Sequence, residues 1–346
     1  MLSVQGTAEH FANLQPALAA QPQPLAMIAI DAEEGFDWLQ PLAATQHNTT
    51  CMHQLGDLQS ILAAYGSGPT YLLTYPVLRD PDAVRSLRRY HERGACTLGL
   101  QLHTWVTPPL EGADTIAASY AGNLSPALEE AKLLTLSQEF VRCFGVPPVV
   151  FRSGRYGFGA VTAALLEKHG FTVDASIAPR TSFSDENGPD FSGFEFAPFW
   201  FGRERRLLEV PLCRSVVGWA GAPGRAMYRR LARPHSAGPW LSLLTRSRAA
   251  ERITLSPEGN NLDDMRRLVR GLRRRGGTLL PLSFHSSSLA IGQNPYVQTK
   301  AELHAFYDRL SGIMAYLADE VGCRFVALED VPALMQPPAA AIGAAA

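Results

Sequence analysis

Cysteine is sparse in this sequence, and its five residues, Cys51, Cys96, Cys143, Cys213 and Cys323, form no C-x-x-C pair. An odd number at irregular spacing makes neither a disulfide framework nor a cysteine zinc site, and it suits a reducing compartment. Long apolar runs are missing as well. No stretch is long enough to span a bilayer, and the first 24 residues lack a basic start and a continuous apolar core, interrupted as they are by Glu9, His10, Asn13 and several Gln and Pro. No secretory signal is expected, and the cytoplasm is the expected compartment. Neither sign of charge is in excess, because the formal net charge is −1. That leaves no electrostatic reason to expect nucleic acid or an anionic membrane as the main partner. The clusters Arg266-Arg267 and Arg273-Arg274-Arg275 lie on an amphipathic helix pattern and at its end, and read as a solvated face favoured by the helix dipole. Two signatures are also absent. Asp31-Ala32-Glu33-Glu34-Gly35 puts acids where a doubly wound nucleotide-binding fold would need a glycine-rich phosphate turn. No G-x-S-x-G elbow accompanies Ser286-Ser287-Ser288, which argues against a serine nucleophile.

What is present is an alternation. With 46% hydrophobic and 18% charged residues over 346 positions, the chain has material for a sizeable core. Residues 1–24 read as a flexible lead-in, and the tail 337–346 as low-complexity and disordered. Between them, strand patterns at 25–31, 70–75, 97–103, 148–152, 171–175, 207–212, 278–284 and 324–328 are interleaved with helical patterns. The helices fall at 53–65, 81–93, 125–144, 159–169, about 224–250, 262–275 and 300–321. Asp80-Pro81 and Ser125-Pro126 supply starts, and Gly94 and Gly145 supply stops. Residues 177–205, rich in Pro, Gly, Ser and aromatics, read as a loop insertion. Seven or eight β-α steps predict an α/β fold, a (β/α) barrel, whole or distorted, in one domain over 25–336.

Five strongly polar residues sit where apolar runs end: Asp31, His103, Arg152, Asp174 and His285. Strand C-terminal ends open onto one shared face, so this pattern points to an enzyme. Around Asp31 stand four carboxylates, Asp31, Glu33, Glu34 and Asp37; crowded acids call for a metal or a shared proton. In Gln101-Leu102-His103-Thr104-Trp105, period-two geometry puts Gln101, His103 and Trp105 on one face. A neutral imidazole there can ligate a metal, with the amide in support. Phe151-Arg152-Ser153-Gly154-Arg155-Tyr156-Gly157 offers two guanidinium groups, of which a buried Arg152 must be paired with strand-end carboxylates. His285 suits a general acid or base. Trp38, Trp105, Tyr156, Phe199 and Trp200 are aromatics that could stack on sugar faces.

The ordered segments Ile30-Asp31-Ala32-Glu33, Leu98 to Trp105, Phe151 to Tyr156 and Phe284-His285-Ser286 resemble the motif order of the polysaccharide deacetylase family, the NodB-homology carbohydrate esterases. Thr70 to Val77, Gly188 to Phe191, Leu208 to Leu212 and Asn294 to Val297 resemble its WalW-like branch, associated with surface-polysaccharide gene clusters. The resemblance implies a distorted NodB-like barrel and a metal-assisted hydrolase that removes N-acetyl or O-acetyl groups from a sugar or glycan. It implies Asp31 as base, Glu33 and His103 as ligands of a divalent metal, expected to be zinc, Arg152 orienting Asp31, and His285 protonating the leaving amine. Gln101, Trp105, Arg155 and Tyr156 are the expected substrate-binding residues. The family's second motif carries two histidines four residues apart and its first an adjacent Asp pair. This chain has His103 alone and Asp31-Ala32, so a further ligand would come from elsewhere, with His47 and His53 as candidates. The alternative is a carbohydrate-binding pseudo-enzyme on the same barrel. A glycosidase would need two acids across a cleft, whereas Asp31, Glu33 and Glu34 share one loop.

Overall fold

A computed structural model describes residues 14–35, 42, 48–112, 115–232 and 238–338. Asp37, Trp38 and His47, most of the lead-in and the end of the tail lie outside the described residues. The sheet contains β1 (Gln15–Pro16), β2 (Leu25–Ala32), β3 (Thr70–Leu73), β4 (Thr97–Leu102), β5 (Val150–Ser153), β6 (Val173–Asp174), β7 (Phe199–Phe201), β8 (Leu207–Glu209), β11 (Leu279–His285) and β12 (Arg324–Phe325). Its order is β1-β7-β8-β6-β5-β4-β3-β2-β11, with β12 beside the lower end of β2. The run from β8 through β6, β5, β4, β3 and β2 to β11 is parallel throughout. β7 and β1 add antiparallel edges.

Between β8 and β11 the ladder is replaced by single bonds. Leu255 N donates to Cys213 O at 2.7 Å, and Ser283 N donates to Leu255 O at 3.1 Å. The closure is irregular, which is the distortion in the barrel.

Helices α1 (Leu55–Ala63), α2 (Pro81–Glu92), α3 (Pro126–Phe144), α4 (Ala160–Lys168), α7 (Leu262–Arg273) and α8 (Lys300–Ala315) alternate with the strands. The punctuation acts as expected. Asp80 Oδ1 accepts from the backbone N–H groups of Asp82 and Ala83, and Ser125 Oγ accepts from Leu128 N–H. Gly94 and Gly145 close their helices at φ +68° and +75°, a conformation glycine adopts without strain.

Two segments differ from the sequence pattern. Helical periodicity over 224–250 resolves into α5 (Gly221–Leu231) and α6 (Pro239–Arg246), enclosed by a separate antiparallel pair, β9 (Arg214–Val217) with β10 (Glu251–Thr254). Within the expected lead-in, Gln15 and Pro16 pair with Trp200 and Phe199, and Ala19 bridges Met335. Those backbone bonds tie the described part of the lead-in to the barrel, and β7 itself lies inside the expected loop 177–205.

Strand alternation sorts side chains into two layers. On β2, Ala26, Ile28, Ile30 and Ala32 join the core under the helices, while Met27 and Ala29 join a second core with Leu72, Val150, Val173, Leu208 and Leu279. That second core fills the barrel. The same alternation puts Asp31 after Met27 and Ala29, Arg152 after Val150, and Ser283 and His285 after Leu279. The interior is therefore apolar at one end and charged at the other.

Packing there is tight at Gly99. A Cβ at this position would lie 2.9 Å from Leu72 Cδ2, Val150 Cβ and Val150 O, and backbone cannot yield as a side-chain tip can. Gly99→Ala is expected to lower stability by about 1–3 kcal/mol, read as a fall in the urea midpoint at unchanged slope; an unshifted midpoint would show that the barrel can widen there.

Candidate active site

Asp31 ends the inward row of β2 with its side chain 3% exposed, and its Oδ1 accepts from Arg152 Nη1. The guanidinium is held on two more sides, donating through Nε to Ala175 O at 2.9 Å and through Nη1 to Ser283 Oγ at 3.0 Å. Burial works against its charge, but Asp31 outweighs it and raises the Arg152 pKa. A buried pair of this kind is costly to break, because removing one partner strands the other.

His285 is the inward terminus of β11. Its Nδ1 is 2.8 Å from Glu258 Oε2, and its Nε2 faces Asp31 Oδ2 at 3.7 Å. Glu258 is fixed in turn, its Oε1 accepting from His285 N at 2.9 Å and from Ser288 Oγ at 2.5 Å. Burial opposes charge on this imidazole, but Glu258, then Glu33 and Asp31, push its pKa up to about 10. His285 is an imidazolium at neutral pH. Around this pair opens a pocket of about 200 Å³ lined also by Tyr156, Arg214, Asn260 and Tyr296. Arg214 donates to Thr254 Oγ1 at 2.8 Å and Thr181 Oγ1 at 2.5 Å, and among the described residues no carboxylate pairs with it.

The other acids of the first loop meet His103. Glu34 Oε1 is 2.8 Å from Nδ1, and Glu33 Oε2 is 3.4 Å from Nε2. Burial lowers the imidazole's proton affinity, but Glu34, Glu33 and Asp31 together outweigh it and the His103 pKa is raised. Burial pushes Glu33 up to about 7. Gly154 makes room for the ring: a Cβ there would come within 2.4 Å of His103 Cδ2.

Among the described residues, Glu33 Oε2 and His103 Nε2, 3.4 Å apart, offer two of the four ligand atoms of a tetrahedral site, and His47 lies outside the described residues. With Glu34 Oε1 at Nδ1, the His103 ring is held so that Nε2 turns to Glu33, the arrangement by which a carboxylate orients a ligating imidazole. The Gln101 amide lies 3.4 Å from Glu33 Oε2, and its oxygen is buried with no hydrogen-bond partner among the described residues. Among the described residues the one trio of His, Cys, Asp or Glu with ligand spacing is His53, Asp80 and Asp82. There, Asp80 is the cap of α2, occupied by Thr49 Oγ1 at 2.6 Å and His53 Nε2 at 3.1 Å besides its backbone donors. His53 therefore serves a helix start rather than Glu33 and His103.

Of the residues expected to meet substrate, Tyr156 lines the pocket. Trp105 is buried and stacks on His103 with ring centroids 4.2 Å apart, so it supports the imidazole from behind. Gln101 is likewise buried. Arg155 bonds Ser119 Oγ, pairs with Glu186 and lies over the Tyr120 ring, joining two loops. Phe199 and Trp200 belong to β7 and the cores.

Sequence reasoning did not single out Glu258, Arg214 or Lys132. Lys132 is fully buried on α3 and donates to the carbonyls of Thr104, Thr107 and Pro109, pinning the turn that follows His103. Asp174, one of the strand-end residues, faces a partner that the pattern concealed. It is in register with Glu209, and both are completely buried. Asp174 Oδ2 and Glu209 Oε2 are buried with no hydrogen-bond partner among the described residues, and burial raises both pKa values. Neighbouring buried carboxyls of this kind favour holding a proton between them.

No protein-family model matches the sequence, and no curated protein matches it. Solved structures do match in three dimensions. One is a candidate glycoside hydrolase/deacetylase from Parabacteroides distasonis, 12% identical, with 92% of this chain and 72% of that one covered at a TM-score of 0.56. Another is a "probable polysaccharide deacetylase" from Pseudomonas aeruginosa, 14% identical, with 90% of each chain covered and a TM-score of 0.51. At such identity the likeness concerns the fold, and the fold is the NodB-like distorted barrel.

The shared proton gives a signed pH effect. Burial raises Asp174 to about 6 and Glu209 well above the ordinary range, so their contribution is complete below about pH 4 and is lost as pH rises through the folded values. Glu209→Gln keeps a neutral partner without proton uptake. The variant is expected to be more stable than the parent at pH 8, by about 1 kcal/mol, and not at pH 4; urea midpoints at both values check this, and a variant weaker at pH 8 would contradict proton sharing.

Proposed function

We propose that the chain is a hydrolase that removes an acetyl group, on nitrogen or oxygen, from a sugar, with Asp31 as general base and His285 as general acid. One observation carries the reading. The two groups meet at 3.7 Å on the wall of one pocket, each backed by its own countercharge, Arg152 behind Asp31 and Glu258 behind His285. Such a pair sets a proton acceptor and a proton donor beside one bound acyl group, which is what amide hydrolysis needs.

Water in the pocket loses a proton to Asp31 as its oxygen bonds to the acyl carbon. The C–N bond then breaks as His285 Nε2 protonates the leaving nitrogen, yielding acetate and a free amine. Arg214, lining the same pocket without a carboxylate partner among the described residues, supplies positive charge for the developing oxyanion. Arg152 and Glu258 are positioning residues. A divalent metal held by Glu33 and His103 would add a Lewis acid for the acyl oxygen; the proton transfers are made by the chain's own residues. A pocket of about 200 Å³ suits one acyl group and its nitrogen rather than several sugar rings. The surface-polysaccharide setting and the WalW-like branch belong to this reading, on the sequence segments that suggested them.

The incomplete metal set favours a second reading, a sugar-binding pseudo-enzyme. Acetate release from a panel of N- and O-acetylated sugars separates the two. Release is expected in the parent, and to fall about a hundredfold or more in Asp31→Asn and in His285→Ala. Sugar binding with no release by the parent would establish the pseudo-enzyme instead. The pH profile adds a signed check. The acid is lost as pH rises through the His285 pKa of about 10, so the alkaline limb should lie there; Glu258→Gln removes the largest raising influence and should move the limb to lower pH.

A further inference from the structure

Residues 214–275 hold fourteen arginines and no lysine against Glu251, Glu258, Asp263 and Asp264, a surplus of ten positive charges in a chain of net charge −1. The fold gathers much of this on one excursion. From the pocket rim, where Arg214 and Thr254 pair across β9 and β10, the chain leaves the barrel through α5 and α6 and returns. The excursion has a small core of its own, Val216, Tyr228 and Ala250 with Leu241 and Leu244. Four large apolar residues stay outside it: Trp219 at 76%, Trp240 at 69%, Leu243 at 59% and Met227 at 54% exposure. Trp240 and Leu243, three apart on α6, share a helix face.

Trp219 also borders a groove of about 350 Å³ against α7, lined by Arg248, Arg267, Arg270 and Arg274. Arg267 is paired with Glu251 and Asp264. Arg248, Arg270 and Arg274 have no carboxylate partner among the described residues. Arg273 does bond a carbonyl beyond the helix end, Gly277 O at 2.8 Å, as a dipole role for that cluster requires; Arg270 and Arg274 face the groove instead.

We propose that the exposed apolar residues of α5 and α6, Trp219 and the Arg248-Arg270-Arg274 groove bind the surface of an anionic lipid bilayer. Exposed tryptophan and leucine next to arginine is the composition that enters the headgroup layer, with the apolar side chains buried and the guanidinium groups on phosphate. Each alternative occupant leaves part of the surface unused. An acidic glycan would match the arginines and Trp219 but gain nothing from Met227 or Leu243. A second copy docking by the same face would bring two positive surfaces together. The inference does not depend on the hydrolase reading, since vesicle binding and acetate release are separate measurements. Where that reading also holds, β9 sets the pocket rim about 10 Å from the groove, within reach of a sugar carried on a membrane lipid.

Co-sedimentation of the full chain with vesicles of phosphatidylcholine alone, or with 30% phosphatidylglycerol, tests the proposal. Binding is expected to the anionic vesicles, weakening with salt and with a blue shift of tryptophan emission. Arg270→Ala with Arg274→Ala should weaken it about 30-fold. Trp240→Ala with Leu243→Ala should abolish the blue shift from α6 and weaken binding without altering its salt dependence. All four side chains reach solvent or the open groove, and a melting temperature within a few degrees of the parent certifies the variants. Equal binding to both vesicles, or none to either, overturns the proposal. So does binding to immobilised polygalacturonate but not to vesicles, or a concentration-dependent dimer that the Trp240-Leu243 variant dissolves.

Discussion

The buried ion pair between Asp31 and Arg152 is the constraint on which the charged end of the barrel depends. Both side chains are 3% exposed, so neither charge can be left to water, and an unpaired partner would be strongly destabilising. The guanidinium spans three neighbours, bonding Asp31 on β2, Ser283 on β11 and the Ala175 carbonyl after β6. It reaches across the interior rather than along one strand. One side chain thus closes a ring that the backbone closes only through isolated bonds at Leu255, and what orients Asp31 also holds the barrel mouth.

The same economy governs the other buried charges. His285 is balanced by Glu258, His103 by Glu33 and Glu34, and the acid pair Asp174–Glu209 by a proton it keeps. Each unit is satisfied locally, which lets several ionisable groups share one interior without a large uncompensated field. Lys132 is the exception in kind: burial lowers it to about 8, and among the described residues it pairs with no acid but with three backbone carbonyls. Its role is to terminate backbone groups that a buried turn cannot offer to water.

How much of this was legible in the sequence follows from what produces a periodic signal. Strands buried on both faces read as short apolar runs, so β2, β4, β5 and β11 and the residues ending them, Asp31, His103, Arg152 and His285, stood out, and the structure brings all four to one end of the barrel. Glu258 lay in Ser256-Pro257-Glu258-Gly259, with no run before it, because the segment closing the barrel there is a single bonded residue and not a strand. Arg214 and the β9–β10 pair were hidden for another reason. The strands read Arg-Ser-Val-Val and Glu-Arg-Ile-Thr, too short and polar to make an apolar run, and the intervening helices blurred into one helical stretch, with the surface arginines diluted in an overall charge near zero. Glu209 was visible only as one acid in an apolar run. A shared proton leaves no mark on spacing.

Gln101 and Trp105 illustrate a limit of strand alternation. Period two correctly placed them on the face of His103, but it cannot distinguish a side chain that reaches a ligand from one that packs beneath it. Trp105 stacks on the imidazole, Gln101 bonds Glu33, and both are buried. What they serve is the placement of His103. With Glu34 at Nδ1 and Glu33 at Nε2, the ring ties both acids of the first loop to β4. Asp31 and His285 line the pocket directly, with Arg214 beside them, so the work of taking up and giving out protons in the proposed reaction falls on groups other than the ones strand alternation placed beside His103.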